Sequence, residues 1–160
     1  MTLPFCIPQD LKPVLLNIHT AANAVACDVV SCKGAHKVWL VVIHSGANDT
    51  DLTLQLTEAT DVAAGTNTPV TTPCPIWRDN DAGASSDTLV RQTDDDNIVI
   101  DPATQAPVLA VIEWDPAKHT AGYDCIYLAD SGGHANNLCT IMAFVQPRYP
   151  QATPPSVIVD

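Results

Sequence analysis

The chain predicts an all-β protein, a single-domain antiparallel β-sandwich or barrel, jelly-roll- or tulip-like, with an extended arm at each end. Three observations predict it. Short apolar runs bounded by Gly, Pro, Asn and Asp recur along the 160 residues, as strands joined by turns do. The acidic side is almost all Asp, with Glu58 and Glu113 the only glutamates, and Asp favours turns where Glu favours helices. Thirteen prolines argue against long helices too.

Residues 1–13 hold three prolines and no periodicity, which predicts an N-terminal arm. The β-domain is expected over 14–146. Val14–Ile18 reads as its first strand, and Thr20–Cys27, rich in Ala, as a helical turn or a loop. Val29–Cys32 is a short strand before the turn at Gly34. Val38–Ile43 is apolar at every position, the pattern of a strand buried on both faces. Ser45–Thr50 supplies a turn into Leu52, Leu54 and Leu56, which alternate with Thr53, Gln55 and Thr57. That alternation predicts a half-buried strand, in a hairpin with the one before it.

Ala59–Pro75 reads as loop, Ile76–Trp77 as a short strand, and Asp79–Asp87 as a polar loop. Thr88–Arg91 and Asn97–Ile100 are short strands around the acidic turn 94–96. Val108–Trp114 is another continuous apolar strand. Asp115-Pro116 after it matches a helix cap followed by proline at the first helical position, with Gly122 where such a turn ends. Gly122–Leu128 and Leu138–Val145 are the last two strands, with a Gly-rich hairpin turn between them. Residues 147–160, with four prolines and the apolar patch Val157-Ile158-Val159, predict a C-terminal arm. A small antiparallel domain usually leaves the outer face of each sheet polar. Strands apolar on both faces therefore point to burial against other subunits.

Composition narrows the function classes. Apolar residues make up 46% and charged residues 16%, with a net charge of −11. Seven basic residues in such a chain argue against nucleic acid, whose backbone demands clustered Lys and Arg. An anionic membrane would repel it, and no run approaches the ~18 apolar residues of a membrane span. Met1–Pro8 has neither a basic nor a long apolar segment, so no signal peptide and a cytosolic site of synthesis are expected. In that compartment Cys6, Cys27, Cys32, Cys74, Cys125 and Cys139 are expected as free thiols. They contain no Cys-x-x-Cys and no paired His stands behind them, so no metal is expected.

Candidate chemistry is weak. Asp130-Ser131-Gly132-Gly133 resembles the nucleophile string of chymotrypsin-like proteases, but His134 replaces the proline that usually follows it, and Thr20-Ala21-Ala22 resembles the string before their histidine. Asn23 stands where the base would be, and asparagine cannot take a serine proton at neutral pH. His19, His36, His44, His119 and His134 share no metal-ligand spacing. The acidic stretches 48–51, 79–81 and 94–97 lack the EF-hand spacing and its bidentate Glu, so solvated turns are expected rather than calcium sites. Trp77, the tryptophan least embedded in a strand, is the candidate for a sugar platform. No catalytic residue and no cofactor are expected.

Lys37–Ile43, Thr53–Gly65, Val111–Asp115, Gly122–Leu128, Pro147–Tyr149 and Pro154–Asp160 together resemble the strand and turn patterns of small structural proteins of tailed bacteriophages. They comprise 42 of the 160 residues. The six cysteines depart from that likeness. The resemblance implies a virion component made in the host cytoplasm, a decoration (cement) protein bound over the major capsid protein on the capsid surface. A homotrimer is the expected oligomer, with Leu3, Phe5, Ile7, Trp39, Tyr149, Val157, Ile158 and Val159 as interface residues on the arms and two-faced strands. A neck or tail component, or a β-sandwich module recognising host glycans, is the alternative.

Overall fold

Apolar side chains at alternate positions decide which face of each strand turns inward. In the computed structural model, which describes the chain apart from residues 1–6, 8–9, 22–26, 47–49, 106, 132–133, 135, 150–152, 154 and 160, those inward faces come from two stacked antiparallel sheets. β1 (Lys12–Ala21), β3 (Ala35–Ser45), β6 (Ile76–Asp79), β7 (Val90–Arg91), β9 (Val108–Trp114) and β11 (Leu138–Pro147) form a six-stranded sheet in the order β1-β11-β3-β9-β6-β7. β2 (Val30–Ser31), β10 (Cys125–Ser131), β4 (Leu52–Ala59) and β5 (Asn67–Pro69) run in the order β2-β10-β4-β5, with β8 (Asn97–Ile100) also on β4. The architecture is a β-sandwich, and neither sheet closes into a barrel.

Val38, Leu40 and Val42 of β3, Val108, Ala110 and Ile112 of β9, and Ile141, Ala143 and Val145 of β11 form one wall of the core. Leu52, Leu54 and Leu56 of β4, Ile98 and Ile100 of β8, and Ile126 and Leu128 of β10 form the other, all of them buried. Each large side chain here contributes roughly 1.5–3 kcal/mol by leaving water. β4 has one edge on β10 and divides its other edge, Leu52–Gln55 pairing with β8 and Thr57–Ala59 with β5. Gln55 Nε2 spans that junction, donating to the carbonyls of Asp96 at 3.0 Å and Val70 at 3.3 Å.

Several sequence expectations need correction, among them the loop read over Ala59–Pro75, which contains β5 paired with the end of β4. β3 and β4 form no hairpin: β3 is bonded to β11 and β9, and β4 to β10, β5 and β8. Both edges of β3 are occupied, so β4 lies across the core from it. β10 and β11 also belong to opposite sheets, so they form no hairpin with one another. The first strand begins at Lys12, inside the expected arm, because Lys12 and Pro13 pair with Val145 and Phe144. Asp115 behaves as read: its carboxylate accepts from Ala117 N–H at 3.0 Å, and Pro116 opens the 3-10 turn Pro116–Lys118.

One histidine sits in this core. His44, fully buried, meets Asn137 Oδ1 at 3.2 Å through Nε2, while Asn137 Nδ2 donates to the Thr50 carbonyl at 3.1 Å. The Asn137 oxygen is thus the acceptor, and His44 is held with its proton on Nε2. Its Nδ1 has no partner among the described residues. Burial, with a small contribution from nearby Arg78, pushes the imidazole below its ordinary value of 6.5. The unfolded chain therefore takes up a proton below pH 6.5 that the folded one resists, and stability falls as pH falls.

Two measurements check these points. Stability should decline by up to about 1.4 kcal/mol per pH unit below pH 6.5 through this group, and urea unfolding between about pH 7.5 and pH 5 should show a shallower decline in His44→Gln. An identical profile in the variant overturns the assignment. Gly46 has φ +120°, and a Cβ there would stand 2.2 Å from the Asn136 carbonyl oxygen. Gly46→Ala should cost roughly 2 kcal/mol or more by the same assay.

Candidate functional site

The two outer faces of the sandwich differ in chemistry. On the five-stranded sheet, register places Thr53 beside Val99, Gln55 between Asn97 and Ala129, and Thr57 beside Tyr127. That face is mixed and mostly polar. On the six-stranded sheet, Val41 lies between Met142 and Val111, with Leu15 beyond Met142 and Trp77 beyond Val111. Five apolar side chains thus cross five adjacent strands, about 19 Å at the usual strand spacing. Phe144 and Trp39 flank this row on one side, and Ile43 and Leu109 on the other.

These side chains are incompletely covered. Leu15 is 43% exposed and Ile43 46%, while Trp39, Val41, Val111 and Phe144 are half-buried by one another. With Leu11 those last four line a shallow depression of about 310 Å³. Soluble monomers rarely expose contiguous apolar patches of more than a few hundred Å², and larger ones mark contact surfaces.

The polar tips on this face are satisfied from within. Trp39 Nε1 donates to Glu113 Oε2 at 3.0 Å, and Lys37 Nζ pairs with Glu113 Oε1. The Glu113 carboxylate, through that hydrogen bond, raises the lysine's pKa. Arg91 pairs with Asp94, and its guanidinium stands 5.0 Å from the centroid of the Trp77 ring. The face therefore carries neutralised pairs in a molecule of net charge −11. Arg91 also covers the one ring that a sugar platform would need.

The expected interface residues fall in different places. Trp39 lies on the apolar face. Tyr149 and Val159, 77% and 65% exposed, stand with Val157 at another concavity, where β1 and β3 begin and β11 ends. Val157 packs on the core of its own chain, and its carbonyl accepts from Ser31 N–H at 2.7 Å. Ile7 is 52% exposed and Ile158 36%; Leu3 and Phe5 lie outside the described residues. Sequence reasoning did not single out Leu15, Val41, Ile43, Val111, Met142 or Phe144. The signal was available, because both alternating sets of β3 and β9 are apolar whereas only one set of β4 is.

Several ionisable groups elsewhere are bonded within the fold. Glu58, 3% exposed, accepts from His119 Nδ1 at 3.2 Å and Thr120 N–H at 3.0 Å, and His119 Nε2 accepts from Trp114 Nε1 at 3.2 Å. The relay uses Trp114 Nε1, both ring nitrogens of His119 and Oε2 of Glu58 within the fold. Ser131 closes β10 opposite Thr53, and His134 Nδ1 accepts from Asn136 N–H, while Gly132 and Gly133 lie outside the described residues. Cys27, Cys32, Cys74, Cys125 and Cys139 are free thiols. Burial pushes Cys27 and Cys74 up to about 11 and Cys139 to about 12, so these three stay protonated and unreactive at neutral pH. Among the described residues no three His, Cys, Asp or Glu side chains come together to hold a metal ion. The acidic turns bond themselves: Asp79 Oδ1 accepts from Asp81 N–H, and Asp95 Oδ1 from Asp96 N–H. No helix among them is long and apolar enough to cross a membrane.

Comparison of the chain with protein families, curated proteins and solved structures finds no match. The site rests on its own geometry. Val41→Lys points outward and should keep a cooperatively folded protein by circular dichroism. Val42→Lys, one residue on, places a charge in the core and should abolish folding. Equal behaviour of the two variants would refute the assignment of faces.

Proposed function

We propose that this chain is a non-enzymatic structural protein of a tailed-phage virion, decorating and stabilising the capsid as an oligomer. The observation that carries the reading is the asymmetry of the sandwich, with one outer sheet face polar and the other apolar from β1 to β6. A second copy or a capsid subunit covering that face removes Leu15, Val41, Ile43 and their neighbours from water. A homotrimer is the favoured state, with the major capsid protein as partner. The likeness of Lys37–Ile43, Val111–Asp115 and the other matching stretches to phage structural proteins supports the virion, and a charge-poor acidic surface suits neither nucleic acid nor membrane. Repeated identical contacts across a lattice gain through avidity even where each is weak.

Size-exclusion chromatography with light scattering tests the oligomer. The native chain should elute at three times its 17.0 kDa mass, and Val41→Lys with Val111→Lys should shift it to the monomer. Cosedimentation with capsids of the phage that encodes the chain should be lost in the same double variant. A native monomer that does not cosediment defeats the proposal.

A further inference from the structure

A second concavity, of about 470 Å³, opens at the end of the sandwich where β1 and β3 begin and β11 ends. Its wall is apolar, with Ala35 and Val145 from the sheet and Val157 and Val159 from the C-terminal segment. Lys12, Lys33 and Arg148 stand around it, three of the seven basic residues of a chain with net charge −11. They come from β1, from the turn after β2 and from the residue that follows β11, so only the fold gathers them. The C-terminal segment crosses the cavity as a strap. Its Val157 carbonyl accepts from Ser31 N–H at 2.7 Å, and its Pro155 carbonyl from Lys12 Nζ.

The cations differ in how far they are engaged. Lys33 Nζ lies 3.6 Å from Asp124 Oδ2, in a pair largely open to water. Arg148 donates from Nε to the Ala35 carbonyl at 3.1 Å, and no carboxylate pairs with its guanidinium among the described residues. That bond holds the planar group at the cavity mouth and leaves its terminal nitrogens to face a ligand. Small-molecule sites have this composition, an apolar body of roughly 300–1,000 Å³ with few polar groups that fix orientation. Local positive charge in an acidic molecule selects the sign of the ligand.

We propose that this cavity binds an aliphatic carboxylate, its hydrocarbon chain lying between Ala35, Val145 and the strap and its carboxylate on Arg148 and Lys33. The site is separate from the sheet face proposed for assembly, so either proposal can fail while the other stands.

Isothermal titration of the full chain with decanoate should show binding of one equivalent. Acetate, with the charge but no chain, and decyltrimethylammonium, with the chain but the opposite charge, should each bind at least tenfold more weakly. From hexanoate to decanoate, affinity should rise roughly threefold to fourfold per added methylene. Arg148→Gln combined with Lys33→Gln should weaken decanoate about tenfold, as loss of a charge-assisted anchor does. Gly34 lines the cavity, its backbone lies outside the left-handed region and a Cβ there meets nothing within 4 Å, so Gly34→Leu should fold normally and block the site. Absence of decanoate binding, equal binding of the cationic analogue, or decanoate binding unchanged in both the double variant and Gly34→Leu overturns the proposal.

Discussion

β3 has strand partners along both edges and apolar side chains on both faces, and the architecture follows from satisfying all four sides. β11 and β9 take its edges. Val38, Leu40 and Val42 need a second layer against them, and the Leu52, Leu54 and Leu56 face of β4 supplies it across the core. Because the edges of β3 are filled, β4 cannot return beside it, and the chain crosses the sandwich instead. The same constraint recurs along the chain: among the described residues only β4–β5 and β6–β7 are consecutive strands that share a sheet. The fourth side of β3, carrying Trp39, Val41 and Ile43, is the one that this chain leaves only half covered.

The two glutamates show how apolar surface is made compatible with polar tips. Glu113 takes the indole N–H of Trp39 and the ammonium of Lys37 on the outer face. Glu58 takes His119, whose other nitrogen accepts the indole N–H of Trp114 at the margin of the core. In each case a carboxylate, directly or through one imidazole, satisfies the single donor of a tryptophan and leaves the ring to act as hydrocarbon. Asp has one methylene fewer, which accounts in physical terms for Glu at these two positions in a chain that otherwise uses Asp. Its aspartates serve turns, capping their own backbone at Asp61, Asp79, Asp101 and Asp115.

Local signals were legible in the sequence where the cause is local. The alternation of Leu52, Leu54 and Leu56 reports a strand with one wet face, and Asp115-Pro116 reports a capped turn, because each depends on residues a few positions apart. Pairing was not legible. Trp39 beside Phe144, or Val41 beside Val111, is decided by which edges remain free after the whole chain has collapsed, and no spacing encodes that. The apolar outer face was half legible: the double apolar pattern of β3 and β9 announced it, but its continuity through Leu15, Met142 and Trp77 depends on register between distant strands. The cation-rimmed cavity was not readable at all, since Lys12, Lys33 and Arg148 are brought together by β1, β2 and β11 from separate parts of the chain.

The charge distribution and the apolar face act over different ranges, and their difference bears on how copies would meet. At physiological salt a charge is felt over about 8 Å, so two molecules of net charge −11 repel before their surfaces touch. Hydrophobic contact acts only once water is expelled between the surfaces. The six-stranded face lowers the barrier locally, because Lys37 neutralises Glu113 and Arg91 neutralises Asp94 where the sheets would approach. Elsewhere, in the proposed assembly, the acidic loops would hold copies apart. In the proposed assembly this combination permits one mode of approach, face first, and disfavours the others. In that assembly an acidic surface and an oily sheet, which look contradictory in the composition, would act together: the first would suppress indiscriminate association and the second would confine contact to the face that has apolar area to bury.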